Sequence, residues 1–163
     1  MNANPRRPKA LLLDGDPTTL RLLGTTLCSR GFEVRAARDG DAGLELLLDE
    51  LLDLDVLVVA RDLPGLGGEA LLRLVRGAGG ERDLAVVVLV ERAGTEAAEQ
   101  LVALGADAVV DRADGRGAAV DAIVAVAPRR AERELRRLEA ARPAVRGALL
   151  VTRPAPHLTP CPA

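Results

Sequence analysis

The chain has 163 residues with 22 basic and 24 acidic side chains, a formal net charge of −2, and 48% of it is apolar. That length suits one ordinary domain with a tail, and its core must be built from Leu, Val and Ala, because Phe32 is the only aromatic residue. Scarcity excludes whole classes of chemistry: the only His is His157, the only Ser is Ser29 and the only Lys is Lys9. A Ser-His-Asp triad and a Gly-Lys-Ser/Thr phosphate loop are therefore absent. Cys28 and Cys161 form no CxxC pair for a metal, and base-stacking aromatic platforms are missing. No apolar run approaches the ~20 residues a membrane span needs, and the basic first residues lead into a leucine run too short for a secretory core. The expectation is a soluble, cytoplasmic, non-enzymatic protein without disulfides.

Hydrophobic periodicity alternates between strand and helix along the chain. Residues Lys9–Leu13 form a short apolar strand, and Asp16-Pro17 after it is an N-cap and first-turn pair. Leu20, Leu23 and Leu27 then recur at helical spacing until Gly31, a natural stop. A second strand spans 32–36, and a leucine-rich helix covers 41–52 with Leu44, Leu47, Leu48 and Leu51 on one face. The third strand, 55–60, runs into the Leu63-Pro64-Gly65 turn. Helix 69–76 follows with Leu71, Leu72 and Val75 inward, and the glycines of 77–80 break it. The β-branched run 84–90 reads as a central strand buried on both faces. Helix 95–104 ends at Gly105, and a fifth strand at 108–110 precedes a fifth amphipathic helix at 118–127. Repeated βα units with short connections predict a parallel sheet covered by helices on both faces. Ligands of such sheets bind beyond the carboxyl ends of the strands, which points to the loops after Leu13, Ala60, Val90 and Asp111.

Charge divides the chain. Residues 129–163 hold eight arginines against three glutamates, which leaves the first 128 residues acidic. A basic amphipathic helix or linker is expected over 128–142, with Ala131, Leu135, Leu138 and Arg142 along one stripe. Residues 143–163 are Pro-rich, lack any period and are expected to be disordered. The plain reading of the helix is a solvated one held by i,i+4 pairs such as Glu132–Arg136. Its alternatives are a two-stranded interface, a linker toward an output domain, or a docking strip for an acidic partner. Phosphate contacts to nucleic acid would be salt-sensitive and without sequence preference, and the interleaved glutamates count against them.

In this order the segments resemble a response-regulator receiver domain of two-component systems, over roughly residues 8–127. LLLDGDP resembles the family's first strand with its acidic cluster, and DLDVLVVARDLPGLGGEALLRLVR its third strand, Pro-Gly turn and third helix. AVVVLVERAG occupies the fourth strand, and ALGADAVVDRA resembles the fifth-strand signature with its Gly-Ala-Asp. The resemblance implies an α/β, doubly wound five-stranded parallel sheet. This is the flavodoxin-like (βα)5 receiver fold with strand order 2-1-3-4-5, here with a C-terminal helical extension.

The same resemblance implies chemistry that these residues lack. A receiver takes a phosphoryl group on an Asp four residues before the turn proline, and paired acids ending the first strand hold Mg²⁺ against the gathering charge. Here the acceptor position is Ala60 and the acid pair is Asp14-Gly15. The hydroxyl position ending the fourth strand is Val90, and the aromatic switch position is Val109. Arg112 stands for the lysine after the fifth strand, with Ala113 where a proline is usual. Arginine keeps the cation but spreads it into a wide fork that could pair with Asp14 or Asp16. The reading is a degenerate pseudo-receiver from bacterial two-component phosphorelay signalling, with no cofactor and its Mg²⁺ site lost. It would act by constitutive protein–protein interaction, through a surface that includes Val109 and Arg112, on a histidine kinase, another regulator or a second copy. Neither nucleic acid nor membrane is an expected partner. The Arg-Pro-Ala bias of the last residues also fits a relic of a longer regulator.

Rival readings use the same residues. Asp14, Asp16 and Asp62 could form a weak remnant metal site, or Asp62 could serve as a displaced acceptor; the plainer reading has Asp16 capping the first helix and Asp62 in solvent. The vacated pocket, ringed by Ala60, Gly15 and Arg112, could take a small anion or a nucleotide. The glycine groups at 65–68 and 77–80 read as turn and loop, and Cys28, beside Leu27, as a packing residue.

Overall fold

The computed structural model describes residues 6–77, 84–92 and 94–127, together with Glu132 and Glu139. The chain divides after Arg130 into two units, and the described elements below all belong to the first. Of the second, Glu132 and Glu139 are helical and exposed. The rest of the expected helix over 128–142, its Glu132–Arg136 pair and the Pro-rich stretch 143–163 lie outside the described residues.

The elements run β1 (Lys9–Leu13), α1 (Pro17–Ser29), β2 (Glu33–Ala37), α2 (Gly40–Glu50), β3 (Val56–Ala60), α3 (Gly68–Gly77), β4 (Ala85–Val90), α4 (Thr95–Ala103), β5 (Ala108–Asp111) and α5 (Gly115–Val126), with a 3-10 turn at Arg112–Asp114. The strands form one sheet in the order β2-β1-β3-β4-β5, and every pairing is parallel. β3 and β4 lie inside it and are buried at every residue, which is why their sequences are continuous apolar runs without alternation.

Because successive strand residues point to opposite faces, those runs feed two cores. On one face Leu11, Leu13, Leu57, Val59, Val86, Val88 and Val90 pack against Leu47 of α2, Leu71, Leu72 and Val75 of α3, and Leu101 of α4. On the other, Ala10, Leu12, Val58, Val87 and Leu89 meet Leu23 and Leu27 of α1, and Val120 and Ile123 of α5. Phe32 packs in this second layer. Each fully buried Leu, Ile or Val side chain stabilises the fold by about 1.5–3 kcal/mol, so aliphatic packing suffices without further aromatics.

Three expectations change. Helical spacing puts Leu48 on the inner face of α2, yet it is 63% exposed. The face that α2 buries is Gly40, Gly43 and Leu47, because a Cβ on Gly40 would run into the Leu66 carbonyl and one on Gly43 into the Leu13 side chain. That close approach fixes the rotation of the helix and turns Leu48 outward. Cys28 is free and exposed, not packed, since the stripe of α1 runs through its neighbour Leu27. The fifth helix starts at Gly115, three residues before the expected 118. Glycine is a poor helix former, but the α5 core contacts of Ala119, Val120 and Ile123 carry its first turn.

Candidate functional site

The site lies where the sheet's carboxyl ends meet the following loops. Asp14 ends the β1 run and is only 3% exposed, its backbone tied to β2 by Asp14 N donating to Ala37 O at 3.2 Å. Asp16 caps α1: its carboxylate accepts from the Thr18 N–H at 3.0 Å and the Thr19 N–H at 3.1 Å. The Thr19 hydroxyl also donates to Asp16 Oδ2 at 2.7 Å. That hydroxyl, then the two backbone N–H groups, holds the Asp16 carboxyl below the usual aspartate range.

Arg112, on the 3-10 turn after β5, reaches back over the strand ends. Its Nη2 donates to Asp14 Oδ2 at 2.5 Å and its Nη1 to Thr19 Oγ1 at 3.2 Å. Asp14 Oδ1 meanwhile accepts from the Asp16 N–H at 2.9 Å. Of the two partners foreseen for Arg112, the direct ion pair is with Asp14, and Asp16 is joined through Thr19. The four groups make one connected network from β1 and α1 to the start of α5.

The other positions carry no donors for phosphoryl chemistry. Ala60 ends β3 and is 3% exposed, and Val90 ends β4 in the apolar core. Gly68 begins α3 against the end of β3, since a Cβ there would strike the Ala60 carbonyl. Gly15 faces Pro64, whose ring would stand 3.1–3.2 Å from a Cβ at that position. Any side chain restored at Gly15 must therefore push the β3–α3 loop. Val109 is half-buried, packed against the helix layer that holds α4. Asp62 is exposed on the loop after β3.

A cavity of about 460 Å³ opens at this edge, and its wall includes Asp14, Asp16, Asp62 and Glu91 against Arg112. Four carboxylates around one guanidinium leave the cavity acidic, a field that repels an anion. A second cleft of about 300 Å³ leads between α1 and α5, and Asp16, Leu89, Glu91 and Arg112 line both. Sequence reasoning missed Thr19, Leu89 and Glu91. Glu91 was findable as the first residue past β4 at the carboxyl edge, and Thr19 as the third residue after a capping aspartate; Leu89 carried no signal beyond its apolar run.

The donor set does not fit Mg²⁺. That ion takes near-octahedral oxygen ligands and prefers carboxylates free to neutralise it. Asp14 already faces a guanidinium, and Gly15 and Ala60 supply no oxygen from their side chains. Asp14, Asp16 and Asp62 share a cavity wall, yet among the described residues no group of three or more His, Cys, Asp or Glu side chains is placed to hold a metal ion.

A five-stranded parallel sheet in this order, with the strand-end loops converging on one acidic edge, defines a receiver-type α/β module. Residues 10–123 match the response regulator receiver domain, and the chain belongs to that family. It is a receiver domain of two-component signalling, a family of signalling modules. The fold is similar to a response regulator receiver domain protein from Clostridium thermocellum (22% identity, TM-score 0.68, 78% of this chain and 98% of that one). It is also similar to a chain of the CheX–CheY–BeF3–Mg²⁺ complex of Borrelia burgdorferi (16%, 0.67, 73% and 88%). A third similar structure is a response regulator from Burkholderia pseudomallei with a phosphorylated aspartic acid, a calcium ion and citrate (25%, 0.62, 83% and 74%). No curated protein sequence matches the chain. Among the described residues no helix is long and apolar enough to cross a membrane.

Proposed function

We propose that this receiver domain no longer accepts a phosphoryl group and works as a constitutive protein-interaction module in the cytoplasm. The observation that carries the reading is Ala60: its methyl group ends β3 where the family's acceptor carboxylate stands, and a methyl group cannot form the acyl phosphate. Val90 offers no hydroxyl to a phosphoryl oxygen, and Val109 no aromatic ring to swing with the β4–α4 loop. An ordinary receiver is biased between two surface states by that modification; this chain keeps one. The surface formed by α4, β5 and α5, which includes Val109 and begins at Arg112, would bind a histidine kinase, another regulator or a second copy of the chain. Neither Mg²⁺ nor another cofactor takes part. The acidic balance of the strand-end cavity gives no support to a small anion or nucleotide as its ligand.

Intact-protein mass spectrometry after incubation with acetyl phosphate and Mg²⁺, beside an active receiver as control, tests the reading. The expected result is no mass gain. A gain of one phosphoryl group overturns it and directs peptide mapping to Asp62, Asp14 and Asp16.

A further inference from the structure

We propose that Arg112 is the resident cation of the strand-end site. Its guanidinium takes over the charge-neutralising duty of a divalent ion and clasps the β5–α5 connection to β1 and α1, so the site stays in one state without metal or phosphoryl group. The proposal rests on the reading above that the site is not phosphorylated, and it supplies the physical device that holds the unswitched state.

Three observations on independent atoms carry it. Asp14 is buried, and a buried carboxylate is costly unless a counter-charge and hydrogen bonds compensate it. Arg112 Nη2 supplies that counter-charge at Oδ2, 2.5 Å away, while Oδ1 is taken by the Asp16 N–H. The second arm of the fork, Nη1, reaches the Thr19 hydroxyl on α1, and that hydroxyl in turn donates a hydrogen bond to Asp16 Oδ2. A lysine ammonium is a point charge without two divergent arms; the planar fork lets one side chain neutralise Asp14 and grip α1 at once. Because Arg112 is the first residue of the turn between β5 and α5, this grip ties that turn to β1 and α1. The remaining carboxylates of the cavity, Asp16, Asp62 and Glu91, stay outside the ion pair.

Charge deletion and chemical rescue test the device in the full chain. Arg112→Ala should lower Tm by about 5–10 °C, read by calorimetry or far-ultraviolet dichroism because the chain has no Trp or Tyr. Guanidinium chloride at about 20 mM should restore at least half of that loss, as a ligand of the native state does, while tetramethylammonium at equal concentration should not. Arg112→Lys should recover stability but leave α5 loosened, with amide exchange at 113–117 about threefold faster than in the parent chain. The parent chain should show no Tm rise with about 10 mM Mg²⁺, whereas Arg112→Ala should show one, its Asp14 being open to a cation. Arg116→Ala, which removes a charge from the adjacent turn, should do none of this.

Should Arg112→Ala fail to fold, Thr19→Val, which cuts the Nη1 arm of the fork and the hydroxyl's bond to Asp16 but leaves the Asp14 ion pair, should give the same increase in exchange at 113–117. A parent chain stabilised by Mg²⁺, an Arg112→Ala chain as stable as the parent, or a loss that guanidinium does not repair would overturn the proposal. The phosphodonor experiment fails independently. A chain that takes a phosphoryl group with its clasp intact refutes the unphosphorylated reading, and one that takes none but lacks the clasp refutes only the device.

Discussion

Two arginine–aspartate pairs close the two ends of the sheet, and they do different work. At the amino end Arg76, from the last turn of α3, donates Nη2 to Asp107 Oδ2 at 2.8 Å, Nε to the Gly105 carbonyl at 2.8 Å and Nη1 to the Leu84 carbonyl at 2.9 Å. Asp107 Oδ2 also accepts the Val86 N–H at 2.7 Å. Gly105 has φ +104 and leaves no room for a Cβ, which would stand 2.9 Å from Arg76 Cγ. The Gly-Ala-Asp signature is thereby explained as a socket for one guanidinium. At the carboxyl end Arg112 has the same chemistry, but its partners are a buried carboxylate and a hydroxyl beside an open cavity. Arg76 donates to two carbonyls and a carboxylate at the turns before β4 and β5, while Arg112 donates to groups that line the strand-end cavities. The same pair of residue types sits on a half-exposed carboxylate in one place and on a buried one beside a cavity in the other.

The comparison can be broken from the scaffold side first. Arg76→Ala removes the three hydrogen bonds described above, so it should cost about 3 kcal/mol of unfolding free energy by urea titration. It should leave partner binding unchanged once the chain is folded. Equal losses of stability and binding would mean that the amino end too belongs to the interaction surface. Ala60→Asp probes the other end with a smaller effect. The new carboxylate would be buried at a 3% exposed position and should cost about 2 kcal/mol. It should gain no phosphoryl group in the mass spectrum, because the metal pair and the hydroxyl remain absent. Phosphorylation of this single variant would show that Asp14 alone can hold the ion against Arg112.

The sheet was legible in the sequence and the network was not. Lys9–Leu13 and Val56–Ala60 announce themselves because a strand buried on both faces has to be apolar throughout, and Asp16-Pro17 announces α1 because capping is local chemistry. Leu48 misled because helical spacing alone does not choose which face is buried; that choice came from Gly40 and Gly43, whose close packing is tertiary. The place of Ala60 at the end of β3, four residues before Pro64, was readable from the apolar run and the turn that follows it. Arg112 could be placed near Asp14 and Asp16 by topology, yet its choice of Asp14, and the part of Thr19, depended on the reach of two side chains across 93 and 98 residues of sequence. Such contacts leave no periodic trace.

The smallest effect separates the cap from the clasp. Asp16 is exposed, and its carboxyl is held below the ordinary range first by the Thr19 hydroxyl and then by backbone N–H groups, with the Arg112 charge the last of the contributions. A carboxyl whose folded pKa is depressed adds stability that is complete above its unfolded pKa and disappears as pH falls through the folded one. Asp16→Ser keeps a capping oxygen and loses the titrating charge. The stability advantage of the parent chain over Asp16→Ser, from thermal melts across the acid range, should therefore be flat above the ordinary aspartate range and shrink steadily below it. In Arg112→Lys the same difference curve should keep nearly its full height, because the Thr19 hydroxyl and the N–H groups do most of the work. If it collapses in that background, the guanidinium governs the Asp16 carboxyl as well, and the cap and the clasp are a single electrostatic unit.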